Sequence, residues 1–188
     1  VLFPLGLGPE TNLLARIALL KKENSEATHL AEQALAANKG DGLELERANS
    51  LRMLGLVKAQ ERQFDKADKL LQEALDQLQI SYQPEMIQQF SLYRERILAW
   101  NEHVNLTAIK DPEEFVRKHY IDSVLICREP VFQAAKRIID VGTGAGFPGV
   151  PLAILFPDKE FVLMDSLNKR IRILSEITAE LGISNVKL

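Results

Sequence analysis

The feature of this sequence that most constrains its fold is an apolar segment that opens into glycines at alternate positions. Residues 138–141 read as a buried strand, and Gly142, Gly144 and Gly146 follow it directly. Glycine lets the backbone turn sharply and approach a ligand without a Cβ in the way. A helix after such a turn offers unpaired N–H groups and the positive end of its dipole. The segment therefore predicts a strand, turn and helix unit that holds a nucleotide-like cofactor.

Two classes of cofactor are compatible with this turn. Gly144, Gly146 and Gly149 satisfy the dinucleotide spacing G-x-G-x-x-G, which is a weak match by itself. Asp140, on the strand, instead completes D-x-G-x-G-x-G, the pattern of class I methyltransferases that bind S-adenosylmethionine. Asp165 ends a second apolar run about 20 residues beyond the glycines, where a carboxylate can accept the ribose hydroxyls of either cofactor. A nicotinamide-dependent oxidoreductase is disfavoured by Asp140 and by the absence of a substrate domain.

An ordered series of motifs in the C-terminal part of the chain resembles one known family. The motifs are W-N-x-x-x-N-L-T-A-I at 100–109, D-P-E-E at 111–114, K-H at 118–119, D-S at 122–123, D-V-G-T-G-A-G-F-P-G at 140–149 and D-S-L-x-K-R at 165–170. Over residues 83–188 the chain therefore resembles the RsmG (GidB) family, the bacterial guanine-N7 methyltransferases of small-subunit ribosomal RNA. The resemblance implies a class I, Rossmann-like α/β fold, S-adenosyl-L-methionine as cofactor, and 16S rRNA or the 30S subunit as partner.

The same resemblance implies which residues touch the cofactor. They are Gly142, Gly144, Gly146 and Phe147 in the turn, the carboxylates of Asp140 and Asp165, and Ser166 and Leu167 near the adenine. Asp165 is expected to bind the ribose hydroxyls, to cap the helix predicted over 167–181, or to do both. Asp140 is expected to organise the turn or to meet the methionine amino group, and Phe147 to close the turn from its apolar side.

Methyl transfer to guanine N7 needs no catalytic acid or base, because N7 carries an exposed lone pair and no proton. The expected reaction is an in-line displacement whose rate comes mainly from orientation and desolvation. We therefore predict no catalytic residue in the acid–base sense and no metal site.

Basic residues near the turn are the candidates for RNA contact. They are Arg117, Lys118 and His119 before the turn, and Lys169 and Arg170 after it. Arg and Lys suit phosphate contact, although a solvated helix face explains the first group equally well and the second group better. For His119, a hydrogen bond to Asp122 is the alternative. Since the net charge of the chain is −3, any RNA surface must be local.

A helix is predicted to begin at Gln83, with Pro84 in its first turn. Its apolar stripe, interpreted as core, consists of Met86, Ile87, Phe90, Tyr93, Ile97, Trp100 and Val104. Asn101, Asn105 and Thr107 follow where the helix ends. Their side chains are expected either to satisfy loose backbone groups or to position the substrate.

The first 80 residues are predicted to be helical and to contain an internal repeat. Residues 29–35 align with residues 69–75 at a shift of 40 residues. Around the second copy, the small and large packing residues of a tetratricopeptide (TPR) repeat are matched by Leu54, Gly55, Phe64, Ala67, Leu71 and Ala74. The alternative function for the chain is therefore an inactive scaffold whose TPR-like helices bind a peptide or protein, with plain helical packing an equally supported explanation.

We predict two domains, TPR-like helices over 1–80 and part of a methyltransferase domain over 81–188. The second has a helical lead-in at 83–127 and a cofactor-binding half-sheet at 137–188. A third strand is expected to begin at 185–188. The resemblance implies a seven-stranded sheet in which the strand on the other side of the first strand comes later in the sequence, so the first strand is expected to have an open edge and an uncovered face. We therefore expect the polypeptide as given to methylate RNA inefficiently.

The composition of the sequence indicates in which cellular compartment the protein is found. No apolar run approaches the roughly 18 residues of a membrane span, and no signal-peptide pattern is present. The single cysteine, Cys127, cannot form an internal disulfide and fits a small buried hydrophobe in a reducing compartment. We expect a cytoplasmic protein without a membrane partner.

Overall fold

The structure is a computed structural model that describes residues 7–20, 24–38 and 43–188. Two units, Val1–Gln63 and Phe64–Leu188, divide the chain inside a long helix. Residues 64–80 therefore pack with the C-terminal unit. The domain limits inferred from the sequence, 1–80 and 81–188, remain a prediction about how the two parts are organised.

The N-terminal unit consists of helices packed through small side chains. Its helices are α1 (Leu7–Leu20), α2 (Asn24–Ala37) and the first part of α3 (Glu44–Gln77). Two small clusters, Ala15 with Ala31 and Met53, and Ala18 with Ala27 and Val57, are buried between them. Alanine at these contacts lets the helix axes approach closely.

The second TPR-like copy lies on one continuous helix. All of its packing residues, from Leu54 to Ala74, lie within α3, whereas a tetratricopeptide repeat is a helix–turn–helix unit. The segment K-A-Q-E-R-Q at 58–63 consists of helix-favouring residues without glycine or proline, so the chain has no local reason to turn there. The TPR resemblance is therefore not confirmed.

In the C-terminal unit, helix α4 (Pro84–Trp100) begins where the sequence predicts, after Gln83. Its stripe is core: Ile87, Phe90, Tyr93 and Ile97 are 8% exposed or less. The last turns of α3 join the same core through Ala67, Leu71 and Leu75. Helices α5 (Pro112–Phe115), α6 (Asp122–Leu125) and α7 (Pro130–Ala134), a π-helix (Val116–Ile121) and a 3₁₀ turn (Ile126–Arg128) then lead to the sheet.

The described part of the chain has a parallel sheet with helical crossovers. Its strands are β1 (Arg137–Val141), β2 (Glu160–Met164) and β3 (Val186–Lys187), in that order, with β1 pairing β2 and β2 pairing β3. Helix α8 (Gly149–Leu155) connects β1 to β2, and α9 (Asn168–Glu180) connects β2 to β3. Parallel strands joined through helices are the Rossmann-like arrangement that the resemblance implies. The predicted fold class is confirmed.

The two faces of this sheet differ in burial. On one face Phe161 and Leu163 are buried, while on the other Ile139 is 58% exposed, Val141 78% and Met164 51%. In the described ranges β1 is an edge strand. The predicted burial of the strand at 138–141 is therefore wrong, whereas the open edge and the uncovered face expected for the first strand are present.

Among the residues that the structure describes, no helix combines the length and the apolar character needed to cross a bilayer.

Candidate functional site

The turn between β1 and α8 requires backbone conformations that glycine adopts readily. Gly142, Gly144 and Gly146 have φ angles of 78°, 61° and 96°. The amides of Gly142 and Thr143 both donate to the Met164 carbonyl, at 2.8 and 2.9 Å. The start of the turn is thereby fastened to the end of β2, which brings the carboxyl ends of both strands to one edge of the sheet.

The two sides of the turn differ in the space around them. A Cβ built on Gly146 collides with the Tyr93 hydroxyl and comes within 2.8 Å of Val150 and 2.9 Å of Leu174. A Cβ on Gly142 meets no atom within 4 Å. We call Gly146 and Phe147 the inner side of the turn, and Gly142 and Gly144 the outer side. Only the outer side has room for a ligand close to the backbone.

Asp140 organises the turn from β1. Its Oδ2 accepts a hydrogen bond from Thr143 Oγ1 at 2.6 Å and another from the Gly149 amide at 3.0 Å. Burial raises the pKa of the Asp140 carboxyl, although these two hydrogen bonds oppose the shift. Of the two roles predicted for Asp140, turn organisation is the one that these contacts show.

Asp165 ties the turn to the beginning of α9. Its Oδ1 accepts from the Leu167 amide at 2.8 Å, and its Oδ2 accepts from the Gly144 amide at 2.9 Å. Arg170 Nη1 lies 3.4 Å from Oδ2, and the Asp165 side chain is 3% exposed. The pKa of Asp165 is lowered, first by the Leu167 amide and then by Gly144 and Arg170 against the effect of burial. The carboxylate is therefore ionised and directed at the outer side of the turn.

Phe147 closes the inner side of the turn against an aromatic cluster. Its ring lies parallel to the His119 imidazole, with centroids 4.3 Å apart and planes 4° apart. Tyr93 and Phe115 contact the same ring, with centroids at 5.5 and 5.6 Å. Phe147 therefore packs on this aromatic cluster at the inner side of the turn, and its predicted contact with the cofactor stays a prediction.

His119 connects this cluster to the loop after α4. Its Nε2 is hydrogen-bonded to Thr107 Oγ1 at 2.7 Å, while the Thr107 amide donates to Asn101 Oδ1 at 2.9 Å. Burial lowers the pKa of His119, although the nearby charge of Asp122 opposes the shift. The partner of the His119 side chain is thus Thr107 and not Asp122, which was the alternative considered for this residue. His119 thus links the motif at 100–109, through Thr107, to Phe147 in the motif at 140–149.

The remaining predicted residues have different surroundings. Lys118 Nζ pairs with Glu114 Oε1 at 2.6 Å on the surface, and this contact raises the pKa of Lys118. The side chains of Arg117, Lys169 and Ser166 are exposed, and Leu167 is 52% exposed. Of the five predicted RNA contacts, His119 and Arg170 therefore lie against the turn or its carboxylate, and the other three lie in solvent.

Tyr93 is a site residue that sequence reasoning missed. Its hydroxyl donates to the Ala145 carbonyl at 2.5 Å, and the residue is fully buried. The spacing of the apolar stripe predicts Tyr93 only as a core residue. The available signal was chemical, because a tyrosine in an otherwise apolar buried stripe needs a partner for its hydroxyl.

The site combines accessible glycine backbone, the Asp165 carboxylate and an aromatic cluster that packs beneath the turn. In the described ranges no group of three or more His, Cys, Asp or Glu residues is placed to hold a metal ion. The arrangement is suited to binding a nucleoside-bearing ligand at the outer side of the turn.

Comparison with known proteins gives consistent matches over this unit. The sequence model of the GidB family, rRNA small subunit methyltransferase G, matches residues 86–188. The Ribosomal RNA small subunit methyltransferase G of Clostridium perfringens (strain 13 / Type A) is 48% identical over 118 residues, covering 63% of this chain and 49% of that protein. The proteins of the same name from Clostridium botulinum (strain Eklund 17B / Type B) and Clostridium tetani are 44% and 42% identical over 117 and 118 residues, and cover 62% and 63% of this chain and 49% of each relative. The chain thus spans about half the length of these curated relatives.

Proposed function

Because this chain belongs to the GidB family of rRNA small subunit methyltransferase G, we propose that its glycine turn binds S-adenosyl-L-methionine for methylation of guanine N7 in 16S rRNA. The observation that carries the proposal is the Asp165 carboxylate, which faces the outer side of the turn and bridges the Gly144 and Leu167 amides. A cytoplasmic location and the 30S subunit as partner belong to the same proposal.

The residues around the outer side of the turn fit this cofactor. The space beside Gly142 and Gly144 admits a ligand close to the backbone. Each carboxylate oxygen of Asp165 can accept more than one hydrogen bond, so the ionised group can still accept from ribose hydroxyls. Ser166 and the half-exposed Leu167 follow it, and in this proposal they lie beside the adenine.

The contribution of the chain to the reaction is orientation. When bound, the cofactor supplies a methyl carbon attached to a positively charged sulfur. Guanine N7 has no proton to remove, so Asp140 and His119 need not transfer one. Asp140 keeps the turn closed through Thr143 and Gly149, and Phe147 rests on His119. A turn held in this way fixes the direction of the methyl group relative to N7.

For RNA contact we propose phosphate binding by the exposed cations Arg117, Lys118 and Lys169, supported by Arg170 beside Asp165. Arginine and lysine contacts to phosphate position a nucleic acid without reading its sequence. His119 is half-buried against Phe147, so in this proposal its contact with RNA is limited to the exposed edge of its ring.

We also propose that the 188-residue polypeptide by itself transfers methyl groups poorly. The support is the exposed face of β1, where Ile139 and Val141 are 58% and 78% exposed. An apolar strand of a parallel sheet is ordinarily covered on both faces.

Cofactor binding and methyl transfer test these proposals separately. In a calorimetric titration we expect S-adenosylmethionine to bind this polypeptide with an affinity weaker than micromolar. Micromolar binding would contradict the proposal that the 188-residue polypeptide by itself is a poor methyltransferase. The chain fused to the remaining segments of the Clostridium perfringens relative is expected to transfer labelled methyl to 30S subunits that lack the modification. Failure of that fusion, with the relative itself active in the same assay, would refute the proposed activity.

A further inference from the structure

The glycine turn is held from inside by a residue 52 positions earlier in the chain. Tyr93 on α4 donates its hydroxyl to the carbonyl of Ala145, which lies between Gly144 and Gly146. Both glycines have positive φ angles, 61° and 96°. Glycine populates several backbone regions with similar ease, so the local sequence does not by itself specify the shape of this segment.

The peptide group between Ala145 and Gly146 is held at both of its polar atoms. Its carbonyl accepts from Tyr93 Oη at 2.5 Å, and its N–H donates to the Thr143 carbonyl at 2.8 Å. The second bond lies within the turn and moves with it. The first bond attaches this peptide group to α4. The turn is also fastened to the end of β2 through Met164 and to Asp165, but those bonds hold Gly142, Thr143 and Gly144, whereas the Tyr93 bond holds Ala145.

Tyr93 is well placed to act as an anchor because its ring is fixed. The ring stacks on Tyr120, with centroids 6.1 Å apart and planes 14° apart, and contacts Phe147. Burial raises the pKa of the Tyr93 phenol well above its usual value, so the hydroxyl keeps the proton that it donates.

We propose that Tyr93 is a positioning residue for cofactor binding, whose hydroxyl holds the Ala145 carbonyl and thereby keeps the outer side of the turn in its binding shape. The inference rests on the proposed function, since it assumes that the turn binds S-adenosylmethionine. Without the hydroxyl, the turn populates other shapes, and the measured affinity falls in proportion to the competent fraction.

Tyr120 provides a matched control with the same chemistry. Its hydroxyl is also fully buried and donates to a backbone carbonyl, that of Phe90 on α4, at 2.7 Å. Tyr93→Phe and Tyr120→Phe therefore each keep a packed ring and leave one buried carbonyl without its donor. The two variants lose similar stability, but only Tyr93→Phe releases the turn.

The test is a nuclear magnetic resonance titration of the 188-residue protein and both variants with S-adenosylhomocysteine into the millimolar range, with amide hydrogen exchange measured on the free proteins. Tyr93→Phe is expected to raise the Kd about three- to tenfold, while Tyr120→Phe changes it less than about twofold. Exchange at residues 144–147 is expected to accelerate only in Tyr93→Phe.

Equal Kd and equal exchange in the two variants would overturn the inference and leave the proposed function intact. If the wild-type turn resonances do not respond to the ligand, the proposed function and this inference fail together. As a second variant, 3-fluorotyrosine at position 93 keeps the ring and strengthens the donor. It is expected to slow exchange at residues 144–147 relative to the same substitution at Tyr120, and no difference there would also overturn the inference.

Discussion

The inner and outer sides of the glycine turn differ in how much of their surroundings the protein itself supplies. On the inner side, Gly146 has no room for a Cβ, and Phe147 is stacked on His119. On the outer side, a Cβ on Gly142 would meet open space, and the Asp165 carboxylate accepts from the Gly144 amide. Both sides use glycine at positive φ, but for different reasons. The inner side is a packing site, and the outer side is the proposed binding surface.

The largest difference in stability is expected between Gly146→Ala and Gly142→Ala. Gly146→Ala adds a collision with Tyr93 to an unfavourable φ, and we expect a loss of about 2–4 kcal/mol. Gly142→Ala meets only the unfavourable φ and should cost about 1–2 kcal/mol. Urea unfolding followed by the fluorescence of the single tryptophan, Trp100, measures both. Equal losses would show that the inner side relaxes and that the two sides do not differ in packing.

On the outer side, Asp165→Asn is expected to weaken cofactor binding about tenfold or more, because a charged acceptor is replaced by a neutral amide. The free energy of unfolding of Asp165→Asn should also fall less on acidification than that of the wild type. The folded-state pKa of Asp165 is lowered, so the stabilisation from this group is present above its unfolded pKa and is lost as the pH falls through the folded value.

The exposed residue Asp158 provides the control for that measurement. Asp158→Asn makes the same chemical change without removing a contact to the turn, and it should leave the Kd for S-adenosylhomocysteine unchanged. An unaltered Kd in Asp165→Asn would remove Asp165 from the proposed cofactor site.

His119→Gln is expected to change the pH dependence of stability, in addition to removing the stacking contact with Phe147. Burial lowers the folded-state pKa of His119, so the unfolded chain takes up a proton first as the pH falls below about 6.5. The wild type therefore loses stability on acidification from that pH down to the folded pKa, and His119→Gln should lose less. His103→Gln, the same substitution at an exposed histidine, is the control for the change of side chain. Identical profiles for the wild type and His119→Gln would show that the imidazole under Phe147 is not desolvated.

The smallest effect on stability is expected for Lys118→Ala, because this side chain pairs with Glu114 on the surface. Its ion pair with Glu114 is solvent-exposed, and such pairs contribute little to folding. The midpoint of urea unfolding should not change. If Lys118 contacts RNA phosphate, binding of a 16S rRNA fragment should weaken in Lys118→Ala and depend less steeply on salt. Unchanged binding at low salt would remove Lys118 from the proposed RNA surface.

Much of the site was predictable because its parts follow from short-range rules. The turn was predicted from an apolar strand followed by alternate glycines. The position of Asp165 beside the turn was predicted from the acid that ends the next strand. The motifs predicted the family, which the comparisons confirm. The parallel order of β1, β2 and β3 follows from the alternation of strands and helices.

Other features of the fold and the site were not predicted from the sequence. The continuous course of α3 through residues 58–63 follows local helix preference rather than the repeat pattern. The exposure of Ile139 and Val141 depends on what covers a strand, and an apolar side chain does not encode that by itself. His119 bonds to Thr107 because the fold brings the loop after α4 next to the imidazole.

The sequence by itself determined which residues form the turn, which family the chain resembles and which chemistry the turn is suited to, because glycine conformation and the period of apolar residues are local properties. Only the tertiary structure decided that the turn has a packed side and an open side. Tyr93, Thr107 and His119 come from different segments, and a buried hydroxyl or imidazole takes whichever partner the folded chain brings within reach.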